Sequence, residues 1–324
     1  MNHNTAFSLL RCVNGCDSPL AQNHDSLSCP SCSRDYPIKD GIIRMLPNSL
    51  CGGQEGSVSS DEHADVRKRS EMKARDAQVG DYDRMLPNSL SCSLAGEGGG
   101  EGSELLASDE QADVRKRSEM KARDAQVGDY DRMWYLNLFG AIEIPMTLGY
   151  LSPEPHHTML EAGCGTGRMT RSFAERCDQL VSIDFSLESL KVNARKLHHH
   201  GVKNVLLVQA DLCRLPFKTN AFDRVVSCQV LEHIPTPRSR EAAVGELARV
   251  LDSGGTLVLS AYQHSLLTKL FGQKEGEHEG GIPFFRFERA ELRALLEREL
   301  KVEHITGKLV YHYTACCRKV VGSR

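Results

Sequence analysis

The chain has 324 residues, of which 40% are hydrophobic and 26% are charged, with a net charge of −3. This length accommodates one large domain with a smaller module, and the composition is ordinary for a soluble globular protein. The small net charge gives no global electrostatic case for nucleic-acid binding, and no run of roughly 18 apolar residues predicts a membrane span. The first residues lack a signal-peptide core, and cysteines within predicted strands and helices favour a reducing, cytoplasmic location.

Four cysteines organise the first predicted module, residues 1–47. Cys12 and Cys16 form one pair and Cys29 and Cys32 a second, with twelve residues between the pairs. Two such knuckles predict a tetrahedral structural zinc site, because four thiolates leave no open position for catalysis. A segment this short needs such a staple to fold. The alternative is a flexible tail with four free or redox-active cysteines.

Residues 48–133 contain a duplication. The segment ADVRKRSEMKARDAQVGDYDRM occurs without change at 64–85 and at 112–133, separated by a Gly/Ser/Glu-rich stretch that predicts a flexible linker. Each copy predicts a charged helix with few apolar positions, which is typical of exposed or bridging helices. Because the second copy leads directly into Trp134, we expect that copy to dock on the following domain. Acidic neighbours favour a solvated face for its basic run, 115–117.

Residues 134–324 predict an α/β domain whose first turn is rich in glycine. After a strand ending near Glu161, glycines stand at 163, 165 and 167, and a helix is predicted over 168–177. Alternate glycines permit positive φ values and let a ligand lie against bare backbone, beside the amides of the helix start. The next strand, 180–183, ends at Asp184, where a carboxylate commonly binds ribose hydroxyls. The turn therefore predicts a nucleotide site, and the carboxylate of Glu161 suits an amino group better than a phosphate.

Two further strands carry candidate site residues at their ends. Strand 205–208 leads to Asp211, whose carboxylate can accept a hydrogen bond from an adenine amine. Strand 222–228 leads to the segment 229–235, which includes His233. With an ordinary pKa near neutrality, His233 is a candidate general base, and a structural capping histidine is the alternative.

These motifs together resemble the class I S-adenosylmethionine-dependent methyltransferases of the type 11 kind. The resemblance rests on E-x-G-x-G-x-G at 161–167, on A-D-x-x-x-L-P-F at 210–217 and on R-V-L-x-x-G-G-x-L at 249–257. It implies a Rossmann-like doubly wound sheet of about seven strands with an antiparallel last strand. It also implies S-adenosyl-L-methionine as cofactor, with these binding residues: Glu161, Gly163, Gly165, Gly167, Asp184, Phe185, Asp211, Leu212 and Gln229. The N-terminal cysteine segment is similar to zinc ribbons that are fused to, or partner, some bacterial and RNA-modifying methyltransferases.

The methyl acceptor is constrained mainly by the segment after the fifth strand, which is predicted over 256–260. Residues 261–287 are too long for a βα turn and carry aromatic residues and glycines, which predicts a substrate lid. A helix over 288–300 and a closing hairpin over 302–306 and 308–318 complete the domain. We expect a small-molecule acceptor of quinone, lipid or metabolite type. An RNA-modifying enzyme that grips RNA through the zinc ribbon and a non-catalytic cofactor-binding scaffold are the alternatives, and no oligomeric state is predicted.

Overall fold

The computed structural model describes residues 6–47, 49–50, 114, 116–125, 127, 134–278, 281–309 and 311–320. The chain divides into two compact units, one comprising Met1–Cys51 with Asp109–Arg324 and the other Gly52–Ser108. Everything described below belongs to the first unit. The first copy of the duplicated segment, 64–85, lies outside the described residues.

Strands and helices alternate through most of the described chain. The strands are β1 (Ala21–Gln22), β2 (Ser26–Ser28), β3 (Asp35–Lys39), β4 (Ile42–Arg44), β5 (Thr158–Ala162), β6 (Gln179–Asp184), β7 (Val205–Gln209), β8 (Phe222–Cys228), β9 (Leu251–Tyr262), β10 (Glu275–His278), β11 (Ile282–Phe285), β12 (Lys301–Leu309) and β13 (His312–Arg318). The helices are α1 (residues 116–125), α2 (Trp134–Leu151), α3 (Thr170–Ala174), α4 (Leu187–His199), α5 (Pro237–Val250), α6 (Leu266–Phe271) and α7 (Arg289–Leu296), with a 3₁₀ turn at Leu231–His233. Among the described residues, no helix is long and apolar enough to cross a membrane.

A single sheet of eleven strands forms the centre of the described unit, in the order β1-β2-β3-β4-β7-β6-β5-β8-β9-β13-β12. Strands β5 to β9 run parallel to one another, whereas β13 lies antiparallel between β9 and β12. The seven strands from β7 to β12 in this order confirm the predicted doubly wound sheet with an antiparallel last strand. The strand order reverses beside β5, and such sheets bind ligands at the carboxyl ends of the strands there.

The N-terminal strands extend this sheet. Strand β4 pairs in parallel with β7, so that Ile42 lies opposite Leu207. Leu10 bridges to Phe217, and both side chains are buried in the main core. The small module expected from the cysteine spacing therefore contributes strands to the sheet of the α/β domain and shares its core.

Several predicted elements differ in extent. The helix expected over 168–177 is reduced to α3, because Cys164 to Met169 form turns before regular helix begins. Helix α4 starts after Ser186, whose hydroxyl accepts a hydrogen bond from the Ser189 amide and so caps the start of the helix. The insertion 261–287 folds into the end of β9, helix α6 and a separate hairpin, β10 with β11. Helix α7 ends at Leu296, four residues before the predicted boundary.

Candidate active site

The glycine turn connects β5 to α3 and is pinned to the neighbouring strand. The amides of Gly163 and Cys164 both donate to the carbonyl oxygen of Ile183 at 2.8 Å, and the Gly165 amide donates to Asp184 Oδ2 at 2.8 Å. All three glycines have positive φ, but their surroundings differ. A Cβ on Gly163 would lie 2.2 Å from the Val230 side chain, whereas a Cβ on Gly165 would meet no atom within 4 Å. Only Gly165 therefore offers bare backbone to open space.

A cavity of about 170 Å³ lies at the carboxyl ends of the central parallel strands. The predicted site residues that line it are Glu161, Gly163, Gly165, Asp184, Phe185, Asp211, Leu212, Gln229 and His233. Gly167 is the exception, because a Cβ there would point at the Asn193 side chain on α4, 2.2 Å from its Oδ1. Gly167 thus permits close packing of the loop on α4 and does not face the cavity.

Three carboxyl groups face this cavity from adjacent strands. Asp184 Oδ1 accepts a hydrogen bond from the Ser186 amide at 2.9 Å. Burial raises the pKa of Asp184, although hydrogen bonds from backbone amides act in the opposite direction. Glu161 accepts from the Ser182 hydroxyl at 2.8 Å, and burial raises the pKa of Glu161 to about 7. Asp211 Oδ1 accepts from the Cys213 amide at 2.9 Å. The arrangement suits a ligand that presents several N–H and O–H donors.

A buried polar network supports the side of the cavity near Gln229. Glu143 is fully buried and accepts from Arg168 Nη2 at 2.9 Å, from Gln229 Nε2 at 2.9 Å and from the Ser260 hydroxyl at 3.0 Å. Gln229 itself has a φ of 58°, a left-handed conformation that this network holds in place. Neither Glu143 nor Arg168 was predicted from the sequence. Glu143 carried a usable signal, since it is the only charged residue in the mainly apolar segment 134–151.

The described part of the second copy, which forms α1, lines the cavity, in agreement with the expectation that this copy docks on the following domain. Lys116 Nζ on α1 lies 2.7 Å from Asp211 Oδ2, and the Ser186 hydroxyl donates to Asp124 Oδ1. Arg123 lies over the Phe185 ring at 5.8 Å. The prediction that the basic run lies on a solvated face is wrong for Lys116, whose side chain is only 13% exposed. An ion pair with a carboxylate across the cavity removes this amine from water, and local sequence patterns do not report such a distant partner.

His233 lies in the 3₁₀ turn after β8 and faces the insertion. Its Nδ1 is 2.8 Å from the carbonyl oxygen of Pro283, and because a carbonyl only accepts, this contact assigns the ring proton to Nδ1. Burial, together with the charge of Arg123, lowers the pKa of His233 well below its usual range. The imidazole is therefore neutral at pH 7, with the lone pair on Nε2.

Aromatic rings surround this histidine. The His233 ring lies 5.6 Å from Tyr262 and 5.8 Å from His278, and His278 lies 4.7 Å from Phe284. Tyr262, His278 and Phe284 all belong to the insertion predicted as a lid. The insertion therefore builds an aromatic wall beside the end of the cavity that His233 occupies.

Part of this chain is similar to known proteins. Residues 160–259 match a family model described as a methyltransferase domain. A protein of Encephalitozoon cuniculi named as a methyltransferase is 38% identical over 111 residues, which are 34% of this chain and 48% of that protein. The demethylmenaquinone methyltransferase of Thermobifida fusca is 32% identical over 106 residues, 33% of this chain and 44% of that enzyme. The chain thus spans about half the length of the curated relatives it matches.

Solved structures share the fold. The N-methyltransferase NodS from Bradyrhizobium japonicum, in complex with S-adenosyl-L-homocysteine, superposes with a TM-score of 0.51 at 16% identity. The superposition covers 62% of this chain and 98% of that one. The family match at 160–259 includes the glycine turn, Asp184, Asp211 and His233, so the part of the chain that is similar to a methyltransferase domain supplies most of the lining of the cavity.

Proposed function

From this similarity we propose that the chain transfers the methyl group of S-adenosyl-L-methionine to a small-molecule acceptor of quinone, lipid or metabolite type. The proposal rests on the open backbone at Gly165 beside two carboxylates, Asp184 and Asp211, at the ends of adjacent strands. A ligand that lies against Gly165 has both acids within its reach.

The residues present fit the donor groups of this cofactor. Asp184 would accept from the ribose hydroxyls and Asp211 from the adenine amine, since each carboxylate oxygen has lone pairs beyond those already engaged. Glu161 would face the ammonium of the methionine part, and Arg168, which also lines the cavity, would face its carboxylate. Four groups of the cofactor thereby meet four side chains of complementary character.

The bound cofactor supplies a methyl group that its sulfonium has already activated. The chain's own residues then align the acceptor with that methyl group and exclude water. The neutral His233, with Nε2 unprotonated, would accept the proton of an acceptor that must lose one, such as an aromatic hydroxyl. The carbonyl of Pro283 fixes the orientation of the ring for this role.

Closure of the cavity favours a small acceptor over RNA. Helix α1 covers one side and the hairpin β10–β11 contributes Ile282 to the lining, so the space near His233 suits a planar ring better than a folded polynucleotide. Lys116 and Arg117 of the basic run are engaged with Asp211 and with the Ser49 carbonyl. The name of the Thermobifida fusca relative, a demethylmenaquinone methyltransferase, supports a quinone-type acceptor.

The test is transfer of label from methyl-labelled S-adenosyl-L-methionine in a cell extract supplemented with the full chain. We expect label in the organic-soluble small-molecule fraction and none added to RNA. Label in RNA would replace the small-molecule proposal with the RNA-modifying alternative. Cofactor binding without any transfer would favour the non-catalytic scaffold.

The four N-terminal cysteines support a second proposal, a structural zinc ion. The sulfur atoms of Cys12, Cys16, Cys29 and Cys32 all lie within 4.8 Å of one another. The Tyr36 hydroxyl donates to Cys12 Sγ at 3.0 Å and the Asn14 amide at 3.4 Å, which would stabilise a thiolate. Four thiolates at such spacing fit the tetrahedral geometry that zinc prefers. Metal analysis of the purified full chain should give about one zinc per chain, and a metal-free folded chain would refute the proposal.

A further inference from the structure

Helix α1 is held over the cofactor subsite by polar contacts at both of its ends. Near its start, Lys116 pairs with Asp211, the proposed adenine acceptor, at 2.7 Å. Near its end, Asp124 accepts from Ser186, which follows the proposed ribose acid by two residues. The helix thus spans from the adenine acid to the ribose acid.

The middle of α1 carries charge into the cavity. Among the described residues of α1, Glu119 alone is buried, and it pairs with Arg123 at 2.9 Å. Burial raises the pKa of Glu119, and the nearby charge of Asp184 adds to this rise. Two carboxyl groups on opposite walls therefore face one space. A ribose diol between them would supply two hydroxyl donors and relieve the repulsion.

Helix α1 forms part of the wall of the cavity through Lys116, Glu119 and Arg123. A ligand held between this helix and the strand ends can leave more readily when the helix shifts. Polar contacts such as those of α1 are well suited to this movement, because water can replace them when the helix lifts.

We propose that α1 is a lid that closes over the bound cofactor, and that the Lys116–Asp211 ion pair is the latch that retains it. This inference rests on the proposed function, since it assumes that S-adenosyl compounds occupy the cavity. Asp211 keeps acceptor capacity for an adenine amine while it holds Lys116, because each carboxylate oxygen can accept two hydrogen bonds. The ion pair and the ligand therefore stabilise the closed state together.

The experiment measures release of labelled S-adenosyl-L-homocysteine from the full chain after a chase with unlabelled ligand. Lys116→Ala should release the label on the order of tenfold faster than the unsubstituted chain, which corresponds to loss of one charged hydrogen bond. Lys116→Arg should retain slow release. The duplication provides a matched control, because Lys68 in the first copy is flanked by the same amino acids in the sequence as Lys116. Lys68→Ala should release the label at the unsubstituted rate.

Unchanged or slower release from Lys116→Ala would overturn the latch, and an equal effect of Lys68→Ala would overturn its assignment to the second copy. Added salt should speed release from the unsubstituted chain more than from Lys116→Ala, a difference that mere misfolding would not produce. Equal thermal unfolding midpoints of the two alanine variants would establish that both fold. If the unsubstituted chain binds no S-adenosyl-L-homocysteine at all, the proposed function fails, and not the lid alone.

Discussion

The buried acid Glu161 makes cofactor affinity depend on pH near neutrality. Burial raises the pKa of Glu161 to about 7, so the acid is half protonated at pH 7 in the ligand-free chain. The ammonium of the cofactor favours the ionised form. Binding should therefore weaken as the pH falls below 7.

The size of the effect follows from the fraction of ionised Glu161. If only the ionised form binds, that fraction is about 9% at pH 6 and about 76% at pH 7.5, so affinity should rise about eightfold across this interval. An α-amino group has an ordinary pKa of about 7.7–8.0, so partial loss of the ligand's proton near pH 7.5 should offset part of this rise. Calorimetric titration with S-adenosyl-L-homocysteine in a series of buffers measures this rise directly.

The matched variant is Glu161→Gln, which keeps the shape of the side chain and one acceptor oxygen but cannot ionise. Its affinity should be weaker at pH 7.5 and should change little between pH 6 and 7.5. A rise of the same size in this variant would refute the role of Glu161, since another group would then control the titration.

Ionisation of Glu161 has the opposite effect on the stability of the ligand-free chain. The folded pKa of Glu161 exceeds the ordinary value of 4.5, so the folded ligand-free chain holds an extra proton between these values. Its free energy of unfolding should fall as the pH rises from about 4.5 to 7, by about 3 kcal/mol in total. The same ionisation that strengthens ligand binding thus destabilises the empty fold.

Further substitutions test other parts of the site. Gly165→Val should abolish binding of S-adenosyl-L-homocysteine in calorimetry, because a side chain there enters the open space that the ligand would fill. Both Gly165→Val and Gly163→Val are strained by a positive φ, and Gly163→Val should lower the thermal unfolding midpoint further, because it also collides with Val230. His233→Gln should reduce the turnover number by about 10²–10⁴ without changing cofactor affinity, and a change in affinity alone would contradict a role as base. Glu232 is fully buried, and burial raises its pKa to about 8 although hydrogen bonds from backbone amides act in the opposite direction. Denaturant titrations should show stability falling as the pH rises toward 8, by up to about 4 kcal/mol, and Glu232→Gln should remove this part of the fall; an unchanged pH profile in the variant would show that the acid does not titrate there.

The central part of the site could be predicted from the sequence because its geometry is local. Asp184 and Asp211 each follow a recognisable parallel strand, and the ends of adjacent parallel strands meet at one edge of a sheet. The glycine spacing similarly predicted the open backbone at Gly165. Gly167 differs because its neighbour, Asn193, comes from the following helix and depends on tertiary packing.

The remaining residues depend on contacts between distant parts of the chain. Lys116 and Glu119 belong to a helix whose polar sequence is typical of an exposed surface, and only the position of Asp211 explains why Lys116 turns inward. The sequence of β4 does not indicate which strand it pairs with. Its partner β7 belongs to the α/β domain, so the pairing depends on a part of the chain that is distant in sequence.

That pairing also affects the order in which the molecule can fold. During synthesis from the N-terminus, β4 is made long before β7. One side of β4 therefore stays unpaired while the intervening chain is synthesised. An exposed strand edge is a template for pairing with other chains. Closing such a distant contact is slow, because the entropy of the long loop must be lost before the strands gain their hydrogen bonds. Until β7 has been made, the side of β4 that pairs with it in the native sheet is therefore open to pairing with other chains.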